Sequence, residues 1–161
     1  MNLEKLFTMQ EALDQYIQSN KQVEEDVFIK KGLALLVELS ELANETRCFK
    51  FWSEKGPSER SVILEEYVDS IHFILSLGIE KSLQYLTEWP LEKRDGDLTV
   101  LFISTSNAIH QFLYEPTMKT YKEVWIQYGA IAKLLDFSSE ELVEAYISKN
   151  EKNYERQRSG Y

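Results

Sequence analysis

The chain has 161 residues, 43% of them hydrophobic and 12% aromatic, enough apolar content for one compact domain spanning residues 1–161 with a real core. A net charge of −9 with no basic, aromatic-interleaved stripe before the last helix speaks against nucleic acid and anionic membrane as partners. Cys48 is the sole cysteine, so no intrachain disulfide can form; the N-terminus lacks a secretory layout and no apolar run approaches the roughly 20 residues of a membrane span, so a cytoplasmic location is expected.

Six glycines, three prolines and the absence of sustained apolar/polar alternation predict a nearly all-helical chain. Leu3 to Ser19 reads as a first amphipathic helix and Val23 to about Arg47 as a second, long one. Trp52 to Ser58, with Lys55-Gly56-Pro57, reads as a loop. A third helix is expected from Glu59 to Leu77, stopped at Gly78, and a short fourth from Ile79 to Trp89 before Pro90. After the polar turn Lys93-Arg94-Asp95-Gly96, Asp97 is a candidate N-cap for Leu98 to about Tyr114. Thr117 then caps Met118 to Leu135, and Ser138-x-x-Glu141 is a capping box opening a last helix to about Arg158. No internal repeat or linker interrupts this order.

Chemistry concentrates in the second and third helices. Glu38-x-x-Glu41 and Glu66-x-x-Asp69 each place two acids one turn apart on a helix face, so two adjacent helices can bring four carboxylates together. A single such pair is more often a solvated face. Here both pairs sit in strongly apolar helices: Leu33, Leu35, Leu36, Val37, Leu39, Leu42 and Ala43 surround the first, and Ile63, Leu64, Val68, Ile71, Ile74 and Leu75 the second. The second helix is therefore expected to be buried on several sides. Clustered carboxylates in such surroundings need counter-charge, and an oxygen-only donor set selects a hard cation such as Mg²⁺. A di-iron site would want Glu-x-x-His on two helices, and only Asp69-x-x-His72 comes near it.

On the last helix Lys149, Asn153 and Arg156 recur at i, i+4 and i+7, a stripe able to contact phosphates, though basic residues near a helix C-terminus also complement its dipole. Phe73 lies one turn beyond Asp69 on the same face, where a ring can stack on a base if the phosphates sit at the acids.

Glu-x-x-Glu, 24 intervening residues and Glu-x-x-Asp resembles the metal-binding signature of the all-α nucleoside triphosphate pyrophosphatases, a superfamily that includes MazG-type enzymes and dimeric dUTPases. The segments Glu38 to Glu45, Phe49 to Trp52, Glu65 to Phe73 and Lys149 to Tyr161 resemble successive motifs of the dimeric dUTPases, in order, with residues 81–137 least diagnostic. The resemblance implies an all-α bundle with a four-helix core of that superfamily's type, and Mg²⁺-dependent hydrolysis of dUTP, and also dUDP, in a homodimer. It implies metal ligation by Glu38, Glu41, Glu66 and Asp69, with Glu41 or Glu38 also orienting or deprotonating the attacking water. It matches Gln10 to a polar position that contacts uracil, and His72 and Trp52 to positions near base and sugar. Lys50 can face phosphate or simply solvent, and Asp14 stands where some relatives carry an amide. Two other readings stay open on residues alone: a related pyrophosphatase with another base preference, and a non-catalytic helical binding module.

Overall fold

The computed structural model describes residues 1–161 and contains six α-helices and no strand: α1 (Glu4–Lys21), α2 (Phe28–Thr46), α3 (Arg60–Glu80), α4 (Leu98–Tyr114), α5 (Met118–Leu134) and α6 (Ser139–Arg158). None is long and apolar enough to cross a membrane. The all-α expectation is met, as a packed helical bundle.

α3 is the hub, packing against α1, α2, α5 and α6, while α4 packs against α2 and α5. Eleven of its residues are buried, including Tyr67, Ile71, Ile74 and Leu75, because apolar residues recur on nearly every side. Around it the aromatic residues Trp125, Tyr67, Tyr121, Tyr128, Tyr146 and Phe112 are fully enclosed. Two of their hydroxyls find backbone acceptors: Tyr67 Oη donates to the Tyr128 carbonyl at 2.7 Å and Tyr121 Oη to the Ile74 carbonyl at 2.8 Å.

Three caps expected from sequence form. The Asp97 carboxylate accepts the Val100 N–H, and capping boxes open α5 at Thr117 and α6 at Ser138. Two boundaries differ. α2 begins at Phe28 rather than Val23: the acidic run before it stays outside, and the Asp26 side chain accepts the Phe28 N–H at 2.9 Å.

The short helix expected over Ile79–Trp89 does not form. α3 passes through Gly78 to Glu80, then Ser82 turns left-handed (φ 57°) and the Leu83 N–H bonds back to the Gly78 carbonyl at 2.8 Å. The chain then runs antiparallel to the N-terminus, with Leu3 N–H to the Thr87 carbonyl (2.8 Å) and Trp89 N–H to the Met1 carbonyl (2.9 Å). Leu83, Leu86 and Trp89 are buried at a three-residue spacing that imitates a helix face.

The expectation that α2 is buried on several sides is also corrected. Leu35, Leu39 and Leu42 are enclosed, but Ile29, Leu33 and Val37 are 66%, 63% and 47% exposed and line one face at four-residue steps.

Gly78 is required by close packing rather than by helix termination. A Cβ there would lie 2.2 Å from Tyr121 Oη and 2.5 Å from its ring, and Tyr121 is fully buried. Gly78→Ala is expected to destabilise the fold by about 1–3 kcal/mol. Gly56→Ala, with nothing within 4 Å, should stay within about 0.5 kcal/mol. Paired thermal denaturation of the two variants measures the difference.

Candidate functional site

The antiparallel packing of α2 on α3 turns the acidic faces of both helices toward each other. Glu38, Glu66 and Asp69 each bring a carboxylate oxygen within 4.8 Å of the others. Glu41, one turn on from Glu38, is exposed beside them and reaches them through its charge. No other group of three or more acids, histidines or cysteines in the chain is close enough to hold a metal ion.

The electrostatics are those of crowded, partly buried acids. Burial, then the charges of Asp69, Glu41 and Glu66, push the Glu38 carboxyl up to about 8. One of its oxygens, Oε2, is buried without a hydrogen-bond partner. Glu66 is raised by burial and by Asp69 and Glu41, and Asp69 is raised by burial against the opposing pull of Lys149. A partnerless buried oxygen among three raised carboxyls, with no nitrogen or sulfur donor, fits a hard divalent cation.

Lys149 reaches down from α6 with its Nζ 2.8 Å from Asp69 Oδ2 and 3.0 Å from Glu65 Oε1. Burial would lower this ammonium, but the bonds to the two carboxylates outweigh it and hold it above its ordinary value. Glu65 is lowered by the same lysine.

From this cluster a pocket of about 410 Å³ extends between α1, α2, α3 and α6, a volume suited to a small ligand. It is lined at one end by Glu38, Asp69, Lys149, Asn153 and Arg156 and elsewhere by Gln10, His72 and Phe73. Asp69, Phe73 and Ser76 follow one another up the α3 face, and seven residues of helix span about 10 Å.

Its polar floor is a connected network. His72 is stacked on Tyr146 (centroids 4.2 Å apart), and its Nδ1 lies 2.7 Å from Gln10 Oε1, which also accepts from Tyr146 Oη at 2.9 Å. Gln10 Nε2 donates to Asp14 Oδ1 (2.8 Å), and Ser76 Oγ donates to Asp14 Oδ2 (2.6 Å). Lys31 lies 3.6 Å from that oxygen and 2.6 Å from Glu80. Burial, helped by the Lys149 charge, drops His72 to about 3, so its ring is neutral and the buried Nε2 has no partner.

Of the residues singled out from sequence, Gln10, Glu38, Asp69, His72, Phe73, Lys149, Asn153 and Arg156 meet at this pocket, with Glu66 at its acidic end. Glu41, Trp52 and Lys50 do not line it; Glu41 borders a shallow surface depression with Leu33 and Val37 on the other face of α2. Trp52 is 66% exposed on the loop after α2, packed edge-on against Phe51 and Phe49, and the Lys50 ammonium lies over the Phe49 ring at 5.7 Å. Lys31, Ser76 and Tyr161 line the pocket without having been picked out. Lys31 sits seven residues before Glu38 on the same face of α2, a spacing that was legible.

A larger cavity, about 680 Å³, lies against the 89–96 segment and the α5–α6 junction, and none of the clustered acids lines it.

Comparison with known proteins bears on this geometry. No curated protein matches the chain. A protein-family model described as dUTPase matches residues 2–161, nearly the full length, and so covers every residue of the acidic cluster and the pocket. Members of that family use metal ions, and Glu38, Glu66 and Asp69 form a possible site for one. The chain thus belongs to the all-α dimeric dUTPase family, the dUTP diphosphatases that hydrolyse dUTP to dUMP and pyrophosphate.

Proposed function

We propose that dUTP, and dUDP in the same pose, is hydrolysed in the pocket between α1, α2, α3 and α6, with Mg²⁺ held by Glu38, Glu41, Glu66 and Asp69. The observation that carries this reading is the convergence of three carboxylates within 4.8 Å, one with a buried partnerless oxygen, at the end of the pocket where Lys149, Asn153 and Arg156 gather. Bound there, Mg²⁺ supplies charge neutralisation for phosphate oxygens and lowers the pKa of a water.

The protein's own groups do the rest. Phosphoryl chemistry depends mainly on positioning and charge, and a chain of net charge −9 must collect cations locally to accept a triphosphate. Lys149, Asn153 and Arg156 form that collection along α6, and Lys50 joins them as a phosphate contact only after the loop following α2 approaches the pocket. The Tyr161 ring, 5.5 Å from the Arg156 guanidinium, borders it. Glu41, the most exposed of the four acids, takes the role of orienting or deprotonating the attacking water. Phe73, one turn up α3, stacks on the base, and Gln10 and His72 meet its polar edge. A neutral His72 can accept a hydrogen bond through Nε2, which an imidazolium could not. Trp52 then acts near the sugar only after the loop carrying it approaches the pocket.

The 161 residues form one domain in this reading, and the assembly is a homodimer. The exposed α2 face of Ile29, Leu33 and Val37, with Val100 and Ile103 exposed on the adjoining α4, supports a second copy packing there. Leu33→Glu should convert a dimer of twice the 18.9 kDa chain mass to monomer in light scattering. A wild-type monomer at micromolar concentration would contradict the assembly.

Glu38→Gln or Asp69→Asn is expected to lower Mg²⁺-dependent pyrophosphate release from dUTP on the order of 100-fold or more without loss of helical circular dichroism. Chelator should abolish wild-type turnover, while dCTP and dTTP turn over poorly. Unchanged activity in both variants would contradict the site.

A further inference from the structure

Lys149 presents a conflict within the reading above. It is 7% exposed, and its ammonium is bonded to Asp69, the same carboxylate that contributes an oxygen to the cluster. A carboxylate cannot serve a lysine and a divalent cation equally well. The ammonium screens the negative charge that would attract the ion and, 2.8 Å from Asp69 Oδ2, competes for that oxygen's lone pairs. Lys149 also belongs to the α6 stripe whose next members, Asn153 and Arg156, line the pocket. The same Nζ therefore has two competing partners, a carboxylate now and a phosphate when substrate is present.

We infer that Lys149 is an internal counterion occupying Asp69 until a nucleotide phosphate draws it away, so that the carboxylate cluster is freed for the divalent cation only as the triphosphate arrives. This rests on the proposed metal site and adds an order of events to it. Glu65 makes the exchange short-range. Its Oε1 holds the same ammonium at 3.0 Å, and Lys152 lies 3.7 Å from it. Glu65 is adjacent to Glu66, but about 100° around α3, and it points toward α6 instead of into the cluster. When Lys149 leaves Asp69 it keeps one anchor, and the movement is a change of partner rather than a release into solvent.

The consequence is a coupling between ion and substrate. Free divalent cation meets a cluster already partly neutralised by a lysine, whereas cation accompanied by a triphosphate meets one whose lysine has been drawn off. Cation and nucleotide then strengthen each other's binding reciprocally.

Mn²⁺ binding, followed by electron paramagnetic resonance of the free ion on the full chain, tests this with Mn²⁺ alone and with the non-hydrolysable α,β-imido analogue of dUTP. Lys149→Met should bind Mn²⁺ alone about 10-fold or more tightly than wild type, an effect of about 1.4 kcal/mol. Lys149→Gln should move in the same direction. Lys152→Met removes an equal charge that touches Glu65 but not Asp69, and should change Mn²⁺ affinity by less than about 3-fold. The analogue should tighten Mn²⁺ binding several-fold more in wild type than in Lys149→Met. Equal Mn²⁺ affinity in wild type and both Lys149 variants overturns the counterion role. So does a Lys152→Met effect as large as that of Lys149→Met, which would reduce the lysine to a general field. Glu38→Gln separates the two levels: if it leaves Mn²⁺ binding unchanged in wild type, the carboxylate site itself is wrong, independently of what Lys149 does.

Discussion

Packing α2 against α3 forces like charges together, and the rest of the site follows from how that repulsion is met. Two ionised carboxylates 4.8 Å apart repel by about 3 kcal/mol at an effective dielectric constant near 20. Each fully buried Leu or Ile side chain contributes roughly 1.5–3 kcal/mol toward holding the helices in place. Leu35, Leu39 and Leu42 of α2 and Ile71, Ile74 and Leu75 of α3 are all enclosed, so the apolar seam outweighs the acids and the acids adjust. They do so by carrying a proton on Glu38 and by engaging Lys149 on Asp69. Both are substitutes for the charge of a cation.

The pocket inherits its character from the same helix pair. α3 carries acids at one end of its pocket-facing side and Phe73 and Ser76 farther along, with α1, α2, α5 and α6 packed around it. Burial under Tyr146 makes His72 neutral, and Gln10 is fixed at both ends of its amide by His72, Tyr146 and Asp14. Groups so constrained present a rigid pattern of donors and acceptors, which favours discrimination by hydrogen bonding over apolar fit.

Much of this was legible in the residues, and the misses share a cause. Caps at Asp97, Thr117 and Ser138 are local events, decided by a side chain and a backbone within three residues, and sequence shows them directly. Acid pairs in apolar helices likewise declare their surroundings. The failures are nonlocal. Leu83, Leu86 and Trp89 satisfy a helical spacing, but Leu83 and Leu86 bond in local turns, and Thr87 and Trp89 bond to Leu3 and Met1 at the N-terminus. Gly78 looks like a helix stop until Tyr121, forty-three residues later, is placed against it. Asp14, Lys31 and Ser76 come from three different helices, and no spacing within one of them shows that they meet.

In the proposed site Glu38 is the carboxyl that gains most from a bound cation, and the dependence of stability on pH reports it. With its ordinary value of 4.5 raised to about 8, Glu38 binds its proton more tightly folded than unfolded, so it favours folding at low pH and loses that contribution as pH rises toward 8. His72, lowered from 6.5 to about 3, acts in the opposite direction but only below about 6.5. Between pH 6.5 and 8.5 the Glu38 effect therefore stands by itself among these two. In chelator the melting temperature is expected to fall across this interval, Mg²⁺ to raise it more at pH 8.5 than at 6.5, and Glu38→Gln to flatten both responses. A melting temperature in chelator that is level with pH, or a Mg²⁺ shift retained in Glu38→Gln, would contradict this expectation.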